Sequence, residues 1–200
     1  MRYVSPALIL MAALSQIPAA HAIPITFVAD LTQALEVPPT HSPGTGSATV
    51  VLDTTANTMH VEVTFSGLTS GTTASHIHCC LASPFETGVN VMVATTTPTF
   101  PGFPLGVTSG TYDMTFNLLD AATYNPAFIT SPFDPSGTVA GAEAALVAGI
   151  EDGKTYLNIH TTDFPTGEIR GFLVPEPTSL VLLGSALFGF GLIRRRKQGS

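Results

Sequence analysis

Strict alternation of apolar and polar residues decides what the middle of this chain can become. In 111–118, Tyr112, Met114, Phe116 and Leu118 fall on one side, and Thr111, Asp113, Thr115 and Asn117 on the other. Successive side chains of a strand point to opposite faces, so this spacing predicts a strand with one face in the core and one in water. The segment 60–65 repeats it, with Val61, Val63 and Phe65 inward. Further strands are predicted at 25–31, 47–52, 75–80, 90–94, 155–161 and 168–174. They are separated by turn dipeptides such as Pro43-Gly44, Ser66-Gly67, Pro101-Gly102 and Thr166-Gly167. One helix is predicted, at 138–150, rich in alanine and followed by Gly153. About eight short half-buried strands imply an all-β fold: an antiparallel Greek-key β-sandwich or barrel with one short helix, flanked by terminal helices that are processed.

The two ends are different material. Residues 1–22 begin Met1-Arg2-Tyr3, continue through an apolar run and end Ala20-His21-Ala22. A positive start, a short apolar core and an A-x-A end make a secretory signal peptide, so the mature chain is expected to start at Ile23. At the other end Pro175-Glu176-Pro177 precedes an apolar segment at 180–193 and the basic cluster Arg194-Arg195-Arg196-Lys197. Those 14 residues make about 21 Å of helix, short for a bilayer core of about 30 Å. The basic stop would sit on the cytoplasmic side. The segment 175–200 resembles the PEP-CTERM signal of Gram-negative bacteria. That resemblance implies transient membrane anchoring, recognition by an exosortase-type processing enzyme, removal of the tail and delivery to the cell surface or extracellular matrix.

Between the ends, 23–174 forms one expected domain. It holds two cations, Lys154 and Arg170, against thirteen acids, a net charge of −11. Affinity for phosphate backbones rests on Lys and Arg, so nucleic acid is excluded as a partner. The body carries Leu35-Glu-Val-Pro-Pro39, Gly44-Thr-Gly46, Phe65-Ser-Gly-Leu68, Ala74-Ser-His-Ile-His78, Tyr156-Leu-Asn-Ile-His-Thr161 and Phe164-Pro-Thr-Gly-Glu-Ile-Arg-Gly171 in order. In these it resembles the CHRD domain, the module named after chordin. The resemblance implies an extracellular β domain. The chain departs from that pattern after His78, where Cys79-Cys80 and a longer loop with Pro98, Pro101 and Pro104 replace a glycine-rich segment.

His76 and His78 are the residues most suggestive of chemistry. On a strand, residues two apart share a face with Cα atoms about 6.5–7 Å apart, close enough for two imidazoles to converge on one ion. His160, on another predicted strand, would complete a three-histidine set, and neutral imidazoles suit copper and zinc. The His-x-His strand is similar to the one that supplies copper ligands in copper–zinc superoxide dismutases, but the zinc ligands and guiding arginine of those enzymes have no match here. The alternative is that His76, His78, Asn158 and His160 fix strand ends by hydrogen bonding. Cys80 is expected to continue the His76–His78 row, with Ile77 and Cys79 opposite. Cys79 and Cys80 leave four possibilities open: a vicinal disulfide in a turn, a buried Cys79 beside a metal-bound Cys80, crosslinks between chains, or a reduced pair. His41 and His60 are expected at the surface. Glu168 and Arg170 are each expected in an ion pair across a neighbouring strand. No catalytic signature, nucleophile elbow or phosphate loop is found.

Two functions follow from this sequence. One is a structural or adhesive binding role outside the cell, towards an extracellular polysaccharide or a surface protein. The other is a copper- or zinc-binding protein, open to redox chemistry, using His76, His78 and His160.

Overall fold

The computed structural model of the protein describes residues 23–134 and 136–176. The signal segment 1–22, the apolar segment 180–193 and the basic stop 194–197 lie outside the described residues. No helix among the described residues is long and apolar enough to cross a membrane.

The alternating segments become strands where the pattern places them. They are β1 (Ile25–Thr32), β2 (Thr45–Asp53), β3 (Thr58–Ser66), β4 (Thr72–Cys79), β5 (Gly110–Asn117), β6 (Thr155–Thr161), β7 (Ile169–Phe172) and the short β8 (Val174–Pro175). All pair antiparallel in one sheet of order β4-β6-β7-β1-β2-β3-β5, with β8 on β1, curled into a half-barrel. After β3 the chain crosses to the far edge as β4, then returns to lay β5 beside β3. The inner face carries the predicted apolar rows: Phe27, Ala29 and Leu31; Val50 and Leu52; Met59, Val61, Val63 and Phe65; Ile77; Leu157 and Ile159. Each is essentially removed from water. The helix α2 (Val139–Glu151) begins one residue after the predicted start, because the Thr138 hydroxyl accepts the Gly141 N–H at 3.1 Å and so caps it. Ala142, Leu146 and Ile150 pack it on the core. A single turn, α1 (Pro126–Ile129), precedes it.

Two expectations are corrected. Residues 90–94 are not a strand. They open an irregular strap along the free edge of β4, in which Met92 accepts the Cys79 N–H, Ala94 and Thr95 donate to Ile77, Phe100 donates to Ser75, and Val107 accepts the Thr72 N–H. Pro98, Pro101 and Pro104 lack the N–H that a continuous ladder requires. The strap inserts Phe100 and Phe103 among Phe65, Tyr112 and Phe116, with ring centroids 5.4–5.6 Å apart. Nor does Cys80 continue the histidine row. It is joined to Cys79 in a vicinal disulfide, and both sulfurs turn towards α2, where Gly149 leaves room for them.

Candidate metal centre

The register of β4, β6 and β7 sets the site. His78 lies opposite Tyr156, His76 opposite Asn158, and Ala74 opposite His160, while Asn158 lies opposite Arg170 on β7. The intervening Ser75, Ile77, Leu157 and Ile159 face the core. The three histidines therefore gather on the outer face of the sheet. Strap and loops cover them so well that His76 and His78 are only 6% and 8% exposed. One ring nitrogen from each of His76, His78 and His160 lies within 4.8 Å of the other two.

Hydrogen bonding fixes which nitrogen faces inward. His76 Nε2 lies 2.7 Å from the Pro98 carbonyl, His78 Nδ1 lies 2.7 Å from that of Val91, and His160 Nδ1 lies 2.9 Å from that of Pro165. A carbonyl oxygen can only accept, so each of these nitrogens carries the proton. The opposite nitrogens, His76 Nδ1, His78 Nε2 and His160 Nε2, then present bare lone pairs. His78 Nε2 is buried without a hydrogen-bond partner among the described residues. His76 Nδ1 and His160 Nε2 stand 3.3 Å apart, where two lone pairs repel unless a cation lies between them. Two nitrogens at about 2.0–2.1 Å from one tetrahedral ion stand about 3.3–3.4 Å apart.

Electrostatics favour the same state. Burial pushes the His76 imidazole down to about 4, helped by neighbouring His160 and opposed by the Pro98 carbonyl. Burial pushes His78 down to about 4, against the pull of the Val91 carbonyl. Burial also lowers His160. All three rings are thus neutral at pH 7, the form that ligates metal. Each ring has one N–H anchored on backbone, the arrangement that orients histidine ligands.

A buried polar array lies behind the histidines. Tyr156 stacks on His78 at 4.7 Å with 10° between the planes, and the Arg170 guanidinium lies 4.5 Å from the Tyr156 ring centroid on its other contact. Arg170 donates to the carbonyls of Leu35 and Val89 and to Asn90 Oδ1, and its Nε is 3.8 Å from Glu36 Oε2. Burial pushes the Glu36 carboxyl up to about 7 although Arg170 pulls it down. Arg170 thus finds its acid on the loop after β1 and not on a neighbouring strand. Glu168 departs further from the expected ion pair: its buried carboxylate accepts from Ser42 Oγ, the Thr69 N–H and Thr161 Oγ.

Sequence reasoning named the three histidines, and the structure brings all three together. It did not find Glu36 or the carbonyls of Val91, Pro98 and Pro165, which come from irregular loops with no periodic signal. His41 is exposed as expected. His60 is half-buried on the outside of β3, 2.8 Å from Asp113, and groups with Glu62 on that exposed face. The cleft beside the disulfide, lined by Cys80, Phe133, Ala145, Gly149, Asp152 and Lys154, includes none of the histidines.

Residues 27–173 match the CHRD domain family, and residues 173–197 match the PEP-CTERM protein-sorting motif. No curated protein and no solved structure matches the chain.

Proposed function

The chain belongs to the CHRD family and ends in a PEP-CTERM sorting motif, and from that premise we propose that it is an exported domain holding one copper or zinc ion at His76, His78 and His160. Export and sorting by an exosortase through the tail follow from the motif itself. The observation that carries the metal reading is the set of three inward lone pairs, each left bare because the other nitrogen of its ring donates to a backbone carbonyl. His76 Nδ1 and His160 Nε2 face each other at 3.3 Å, His78 Nε2 has no partner among the described residues, and one bound cation would satisfy all three. Such an ion supplies a Lewis-acidic centre near the surface. The chain's own residues orient the rings, hold them neutral and shield them from water.

The test is titration of the purified protein with Cu(II) and with Zn(II). Uptake of one ion per chain is expected, with affinity reduced at least tenfold in His76→Ala and in His78→Ala. Equal binding by the wild type and the double variant contradicts the reading.

A second reading, compatible with the first, is a structural or adhesive role towards a surface polysaccharide or protein. It is supported by delivery outside the cell together with the exposed side chains Phe85, Leu105 and Leu119 on connecting segments. Binding to isolated matrix polysaccharide, weakened by Leu105→Ser, is the expected result.

A further inference from the structure

We infer that Asn158 is a fourth ligand of the three-histidine centre, through its carboxamide oxygen. This rests on the metal reading above and adds to it the residue that completes the donor set.

Asn158 lies between the ligands. It is the cross-strand partner of His76, sits two residues before His160 on the same face of β6, and its side chain lies against His78. It is 1% exposed, and its Oδ1 has no hydrogen-bond partner among the described residues. Leaving a buried carbonyl oxygen without a donor is costly, so a position of this kind calls for an explanation. The orientation of the amide is set from behind. Glu36 Oε1 and Asn158 Nδ2 both border the position a Gly167 Cβ would take, so the amide turns its NH2 end to the Glu36 side and its Oδ1 away from it. Gly167 closes this corner. Its φ is +128°, and a Cβ there would run into Glu36 Oε1 and lie 2.8 Å from Asn158 Nδ2.

The neighbouring histidine cannot satisfy that oxygen. His78 Nδ1 gives its proton to Val91, so His78 Nε2 is an acceptor, as Asn158 Oδ1 is. Two buried acceptors lie together, both without a donor, beside the facing lone pairs of His76 and His160. A single cation would satisfy all four. Three imidazole nitrogens and one carboxamide oxygen make a neutral donor set suited to a divalent ion.

The experiment uses the full-length chain, exported by its own signal, with Cu(II) as probe. Affinity is read by competition with a chelator, and the donor set by electron paramagnetic resonance. Asn158→Ala is expected to weaken Cu(II) binding about tenfold or more and to change the copper hyperfine pattern, while Asn158→Asp, which keeps an oxygen donor, restores affinity. If Asn158→Ala does not fold, Asn158→Asp alone decides. A carboxylate in place of a carboxamide must shift the copper spectrum, and a spectrum identical to the wild type overturns the assignment. Unchanged affinity and spectrum in a folded Asn158→Ala overturn it as well. Failure of the wild type to take up copper overturns the three-histidine reading beneath it, so the two failures are told apart.

Discussion

Arg170 is one of two cations in the acidic body and is 1% exposed. Its contacts reach Glu36, Leu35, Val89, Asn90 and Tyr156, so it ties the loop after β1 and the start of the strap to β7. Removing one member of a buried pair leaves the other uncompensated, and Arg170→Ala is expected to cost about 3–5 kcal/mol in urea unfolding. The histidines give a pH signature in the metal-free protein. His76 and His78 titrate near 4 when folded against 6.5 in the reference state, so the unfolded chain binds more protons between those values. Stability is therefore complete above about 6.5 and falls as the pH drops towards 4. Glu36 acts in reverse: raised from 4.5 to about 7, it contributes most below 4.5, and that contribution is lost as the pH rises through 7. Denaturation at several pH values, with chelator present, is expected to show a shallower acid-side loss in a His76→Gln/His78→Gln variant. An unchanged slope contradicts the assignment of neutral, buried rings. The sequence showed which residues were histidines but not their tautomers, because those depend on carbonyls that only the folded loops deliver.

The strands could be read because their period is short and local. Val61, Val63 and Phe65, or Tyr112 and Phe116, declare their face without knowledge of any other strand. The strap could not. Its hydrogen bonds go to the edge of β4 in a pattern broken by proline, and its apolar Phe100 and Phe103 lack a period. The disulfide was one of several open alternatives, and the choice depends on the approach of α2. Gly149 shows how close that approach is, since a Cβ at this position would overlap Cys79 Sγ and lie 3.2 Å from Cys80 Sγ. In an open helix Gly→Ala gains about 0.8–1.0 kcal/mol. Here overpacking, typically about 1–3 kcal/mol, opposes it. Gly149→Ala is expected to lower the melting temperature, and a rise would show that α2 moves aside without cost.

Over the whole molecule, the functional logic divides between the tail and the body. The Pro175-Glu176-Pro177 element and the basic stop were legible in the sequence because sorting signals are linear. Deleting Pro175–Pro177 is expected to leave a tailed, membrane-bound precursor in cell fractionation, whereas unchanged release contradicts exosortase sorting. The body's site is assembled from β4, β6, the loop after β1 and three carbonyls, two on the strap and one on the loop between β6 and β7, and only the histidine types and the His-x-His spacing announced it beforehand. The most direct measurement is the metal content of the protein exported to an oxidising compartment and purified without chelator or affinity tag, beside a His76/His78/His160 triple alanine variant. Near-stoichiometric copper or zinc is expected in the wild type, and its loss in a variant that remains folded. Equal, negligible metal in both would contradict the metal reading and leave the three histidines as scaffold.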